Sequence, residues 1–194
     1  MLVMGVDPGT RRANPTGICI MDDRENILYL GEVKPHAWSK EWMARIPDIG
    51  DTIMEIAREW SADLDLISFE APIMQVGRGA NPESIAPMWA LVGMVLGIGR
   101  ALHCPVVRVQ PNEAKLALAG NARADKADMI AVARLLVKET VSSHQADAIG
   151  IARAGMAKWE ALRILSKIEM EDRKGREKLN LWKPPMPFQK DVHV

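Results

Sequence analysis

Apolar and polar positions change period along this chain in a way that marks its elements. Leu2 to Val6 is an apolar run that ends on Asp7 and a turn, Pro8-Gly9-Thr10. Residues 17–22 and 27–33 repeat the strand pattern. The polar link Asp22-Asp23-Arg24-Glu25-Asn26 between them is short enough to make an antiparallel hairpin. Over residues 48–60 the period becomes helical, with Ile49, Ile53, Ile56 and Trp60 on one stripe. A fourth strand is predicted over 64–70, ending on Glu70 before Ala71-Pro72, and a short fifth over 105–109. Helices are predicted at 84–103, 111–118, 125–139 and 143–178. The end of the chain, Leu179 to Val194, holds Pro184, Pro185 and Pro187 and reads as an irregular arm.

This order of elements predicts an α/β fold with a mixed five-stranded sheet flanked by helices. The first three strands form an antiparallel meander, and the last two, reached by helical crossovers, are expected to be parallel. Asp7 and Glu70 then both stand at carboxyl ends of strands, the edge where open α/β sheets place their sites. If the two strands are neighbours, the two carboxylates approach each other.

Composition adds limits. At 194 residues the chain is expected to form one domain, 1–155, with a helical extension and arm over 156–194. Two cysteines, Cys19 and Cys104, lie far apart in apolar surroundings, so a disulfide framework is not expected and a cytoplasmic setting is. Arg11 and Arg12 fall where a signal peptide would stay apolar. The most apolar stretch, Ile85 to Leu102, is interrupted by Pro87, Gly93, Gly97 and Gly99 and reads as a buried or dimer-forming helix, not a membrane span. The net charge is zero, but residues 1–72 carry 7 basic and 13 acidic groups, whereas 100–138 carry 7 basic and 3 acidic. Basic segments beside acidic ones suit a phosphodiester substrate; solvated helix faces would give the same counts.

Four residues carry candidate chemistry. Asp7 and Glu70 end strands, and His144 and Asp147, three apart, share one face of the last helix. Carboxylates gathered in this way supply hard oxygen ligands for Mg²⁺ or Mn²⁺. Each residue also has a plainer reading. Asp7 could close an Asx-type turn, Glu70 could sit in an ion pair, and His144 could belong to a helix start capped by Ser142 or Ser143. Arg78, between Gly77 and Gly79, stands in a loop able to approach a phosphate or a groove.

Met4-Gly5-Val6-Asp7-Pro8-Gly9-Thr10-Arg11-Arg12 followed by Thr16-Gly17 resembles the opening of RuvC-type Holliday junction resolvases. The stretch from Pro111 to Ala152, with PNEAKLALAGNARADKADM and HQADAIGIA, is similar to the family's second half. The resemblance covers about residues 1–155. It implies a ribonuclease H-like fold, a homodimer with its interface on the helix at 84–103, and Mg²⁺-dependent paired nicking of four-way DNA junctions, with Mn²⁺ able to substitute. Asp7, Glu70 and Asp147 match the family's metal-binding carboxylates. His144 falls where members carry aspartate or histidine and is expected to be a ligand or a water-orienting group. Lys115 and Lys126 match lysines that contact the phosphate backbone, and Arg123 and Arg78 are expected to contact DNA with them. The implied setting is a bacterial cell or a phage-infected host.

Three departures stand out. Ala13-Asn14-Pro15 interrupts the run between the arginines and Thr16, residues 71–81 lack an aromatic that some members carry there, and the tail is long. Within the same fold, a YqgF-type RNA-processing nuclease shares the Asp-Pro-Gly-Thr opening and would act on structured RNA. Sugar kinases and actin-like ATPases open with a related loop but need a second large domain to clamp ATP. A DNA-binding protein with a dead site is a third possibility, which four intact candidate ligands oppose.

Overall fold

The computed structural model describes residues 1–36, 41–72 and 82–178, without side chains at 82–84 and 172–178. Five strands and five helices run in the order β1 (Leu2–Asp7), β2 (Thr16–Asp22), β3 (Ile27–Val33), α1 (Trp42–Glu59), β4 (Leu64–Glu70), α2 (Pro82–Ala101), β5 (Val106–Val109), α3 (Pro111–Ala119), α4 (Lys126–Val137) and α5 (Ser143–Lys178). The strands form one sheet ordered β3-β2-β1-β4-β5. β1 and β2, and β2 and β3, pair antiparallel; β1 with β4, and β4 with β5, pair parallel. The predicted meander and crossovers are thus present. The β2–β3 turn is closed by Asp22, whose Oδ1 accepts from the backbone N–H of Arg24 and of Asn26, both at 2.9 Å.

Strand alternation sorts the side chains onto two faces. Met4 and Val6 of β1, Ile18 and Ile20 of β2, and Ile67 and Phe69 of β4 face one core, with Ile49 and Ile53 of α1 and Leu91 and Val95 of α2. Val3, Cys19 and Leu66 face the other, with Met129 of α4 and Ala146, Ile149 and Ala152 of α5. By the same period, Asp7 and Glu70 project on the second face, the one covered by α5. Burial of these apolar runs from both sides explains why β1 and β4 read as nearly unbroken hydrophobic stretches.

α1 begins at Trp42, not at residue 48 as the pattern suggested. Pro47 looks like a helix start, yet it lies in the second turn and removes one backbone hydrogen bond. Ile46, only 4% exposed, continues the stripe of Ile49 and Ile53. Its burial carries the helix past the proline.

The chain divides into two compact units, Met1–Trp159 and Glu160–Val194. In the second, the helical residues Leu162, Leu165, Ile168 and Met170 are exposed. The proposed irregular arm over 179–194 and the loop carrying Arg78 lie outside the described residues. Among the described residues no helix is long and apolar enough to cross a membrane.

Candidate active site at the carboxyl ends of the parallel strands

The site is set by how closely α5 lies on the sheet. A Cβ on Gly5 would stand 2.3 Å from the carbonyl oxygen of Ala148 and 2.7 Å from the nitrogen of Ala152. One on Gly17 would stand 2.1 Å from the carbonyl oxygen of His144. Only residues without a side chain allow backbone to approach backbone at these two points. Ser68 adds a fixed contact, its hydroxyl donating to the carbonyl of Ile151 at 3.1 Å. The first turn of α5 is capped reciprocally: Ser142 N–H donates to Gln145 Oε1 at 2.9 Å, and Gln145 N–H donates to Ser142 Oγ at 3.1 Å. Rotation and height of α5 over β1 and β2 are therefore determined before any charged contact is made.

His144 and Asp147 project from this anchored turn. His144 Nδ1 lies 2.8 Å from Asp7 Oδ2, and both side chains are about as well shielded, at 16% and 15% exposed. The bond to Asp7 raises the imidazole above its ordinary value, against the opposing effect of burial. Val6 of β1 pairs with Phe69 of β4, so Asp7 and Glu70 end adjacent parallel strands. Glu70 is pushed up to about 7, first by burial and then by the negative charges of Asp7 and Asp147. Asp147 is pushed up to about 6, again by burial first and the charge of Asp7 second. Three carboxyl groups thus share one partly buried place, where the charge of Asp7 opposes ionisation of both Glu70 and Asp147.

Two lysines counter this crowding. Lys115, half-buried on α3, favours the ionised form of both Glu70 and Asp147, and Lys126, exposed at the start of α4, favours that of Asp147. Arg123 is exposed in the α3–α4 connection, where its N–H closes a turn on Asn121 Oδ1 at 3.0 Å. The four acidic and imidazole groups and the two lysines are therefore brought to one region.

Oxygen-rich donors with unrelieved like charge fit a hard divalent cation, which would neutralise them directly. Among the described residues, no three His, Cys, Asp or Glu side chains converge as they stand to hold an ion.

Sequence reasoning missed Glu32. It pairs with Gly17 across β2–β3, in the row that continues to Asp7, and so projects on the α5 face. The Ser142 hydroxyl holds its carboxyl below the usual range, helped by Lys34, whose Nζ stands 3.1 Å from Glu32 Oε2. The only signal was register: once the hairpin is aligned, Glu32 falls two strands from Asp7.

A five-stranded mixed sheet in this order, flanked by helices, is a ribonuclease H-like fold. The family profile described as crossover junction endodeoxyribonuclease RuvC matches residues 3–154. The crossover junction endodeoxyribonuclease RuvC of Anaeromyxobacter dehalogenans is 31% identical over 160 residues, covering 81% of this chain and 82% of that protein. Among solved structures, Thermus thermophilus RuvC superposes with a TM-score of 0.63 at 23% identity, covering 79% of this chain and 92% of that one. The same protein in complex with a Holliday junction substrate gives 0.62 at 22% identity, with 79% and 91% covered. The chain belongs to the RuvC family of crossover junction endodeoxyribonucleases. It is a nuclease of the kind that resolves Holliday junctions.

Proposed function

We propose that this protein resolves four-way DNA junctions by paired symmetric nicks, through metal-assisted phosphodiester hydrolysis at Asp7, Glu70, His144 and Asp147. The observation that carries this reading is the end-to-end placement of Asp7 and Glu70 on adjacent parallel strands, under the helix face that bears Asp147 and His144. Asp7, Glu70 and Asp147 would hold the metal. His144 either joins them or orients the attacking water. Bound Mg²⁺, or Mn²⁺ in its place, supplies an acidified water and neutralises charge on the phosphate. Imidazole at position 144 favours Mn²⁺ more than a fourth carboxylate would.

The remaining chemistry belongs to the chain's own groups. Positive charge entering the site would favour the ionised forms of Glu70 and Asp147, which burial and the charge of Asp7 oppose, in the same direction as Lys115 acts on both and Lys126 on Asp147. The two lysines draw the scissile phosphate to the carboxylates and balance its added charge during attack. Water oxygen bonds to phosphorus as the bond to the 3′-oxygen breaks, so the products are a 5′-phosphate and a 3′-hydroxyl. Arg123, exposed beside Lys126, extends the basic strip along the DNA backbone, and Arg78 would add to it from its loop.

Paired nicks need two such sites. On α2, Trp89 and Leu96 are exposed at 42% and 47%, and beside them a Cβ on Gly93 or Gly97 would meet nothing within 4 Å. Leu91, Val95 and Ile98 on the opposite side of the helix are buried. A stripe with large apolar residues around two glycines suits the same stripe on a second copy, and we assign the homodimer interface there. Residues 1–155 would then be the nuclease domain, with 156–194 an extension to it. Cys19 and Cys104 are both buried free thiols, which suits a reducing cytoplasm.

The test is cleavage of a labelled junction in competition with structured RNA and with linear duplex. Junction-selective cleavage supports the reading. Equal cleavage of linear duplex or preference for RNA contradicts it.

A further inference from the structure

Asp7, Gly17 and Glu32 form one row across β1, β2 and β3, each pairing directly with the next. Directly paired residues project to the same face of a sheet. Gly17 contributes no side chain, so a gap of about two strand spacings, roughly 9–10 Å, separates the two carboxylates. His144 fills that gap, its carbonyl seated where a Cβ of residue 17 would be. Its imidazole bonds to Asp7 through Nδ1, and the charge of Glu32 also acts on it.

Glu32 also reaches the chain segment that carries His144. The Ser142 hydroxyl hydrogen-bonds its carboxylate, and the same hydroxyl accepts from Gln145 N–H at the start of α5. Lys34 Nζ stands 3.1 Å from Glu32 Oε2, and the Glu32 side chain is 19% exposed.

We propose that Glu32 is a positioning residue for His144: held to Ser142, it fixes the start of α5 so that the imidazole stands with Nδ1 toward Asp7. Nε2 is then the nitrogen left for a cation or a water. Glu32 acts through another residue, as the outer partners of metal-ligating histidines commonly do. The inference rests on the nuclease reading for its consequence in catalysis, but not for the placement of the ring.

The test uses the full chain with Glu32→Ala, Glu32→Gln and Ser142→Ala. The imidazole ¹³C and ¹⁵N signals of His144, assigned by their absence in His144→Asp, are recorded in metal-free protein. Glu32→Ala is expected to shift or broaden them and to lower kcat on a junction by about tenfold with KM unchanged. Glu32→Gln, which keeps an acceptor for Ser142, is expected to recover most of both. Wild-type signals and wild-type kcat in Glu32→Ala would overturn the proposal, as would a loss confined to KM. Should Glu32→Ala not fold, Ser142→Ala decides in the same way: a shifted ring signal supports the proposal and an unshifted one overturns it. If even the wild type cuts no junction, the nuclease reading fails while the ring signals still settle the positioning role.

Discussion

His144 Nδ1 and Asp7 Oδ2 stand 2.8 Å apart, 137 residues apart in sequence, and join the end of β1 to the first turn of α5. The bond raises the histidine, so its contribution to stability is fully present below the ordinary imidazole value of 6.5 and is lost as pH rises through the folded one. In metal-free protein, His144→Ala should lower Tm more at pH 6 than at pH 9. Equal losses at both pH values, read by thermal unfolding, would count against a charged contact.

Glu70 and Asp147 behave alike for a different reason. Their folded values, about 7 and about 6, are raised, so the stability linked to their protons is present below the unfolded values of 4.5 and 3.8 and fades as pH rises through the folded ones. Glu70→Gln and Asp147→Asn should therefore raise Tm in metal-free protein at pH 8, with the gain vanishing near pH 4. Each kcal/mol of such relief corresponds to about 2–4 °C in a domain of this size. Mg²⁺ should raise the Tm of the wild type and do so less in either variant. A variant less stable than wild type at pH 8 without metal would contradict the crowding.

Gly17→Ala places a Cβ against the His144 carbonyl, a backbone atom that cannot swing away. The expected cost is about 1–3 kcal/mol of stability. Junction cleavage should fall by more than the loss of folded protein explains. Gly93→Ala, with open space around it, should leave the monomer's stability within about 0.5 kcal/mol of wild type or improve it.

On the exposed stripe of α2, Leu96→Glu should leave the fold intact and convert a dimer to a monomer, measured by light scattering after size exclusion. Nicks in the two strands of a junction should then become uncoordinated. A Leu96→Glu protein that remains dimeric would move the interface elsewhere.

Lys126 is exposed and its charge favours the ionised form of Asp147. Lys126→Ala should weaken junction binding and reduce the slope of log affinity against log salt by about 1. An unchanged slope would make Lys126 a solvated surface residue.

Much of this site was legible along the chain, and the reasons are particular. Asp7 and Glu70 each close an apolar run, and strand parity alone puts both on the face opposite Met4, Val6 and Phe69. His144 and Asp147 share a helix face by spacing. Gly17 and Glu32 were hidden because their place depends on the register between strands, which no local pattern carries. Gly5 was quoted within a motif, but its role as the seat of α5 needs the helix in position. The stripe from Ile49 onward set the predicted start of α1 too late, since buried Ile46 extends it back through Pro47 to Trp42. Lys115 and Lys126 are ordinary helix lysines by pattern; the family resemblance singled them out, and their charges act on the carboxylates in the folded chain.

The most direct measurement is cleavage of a strand-labelled four-way junction by wild type and by Asp7→Asn, each in Mg²⁺ and in Mn²⁺. Wild type should give paired nicks at symmetric positions with 5′-phosphate ends, in either metal, and Asp7→Asn should bind the junction and leave it whole. Binding without cleavage by the wild type, or cleavage that survives Asp7→Asn, would contradict a metal-assisted resolvase centred on Asp7.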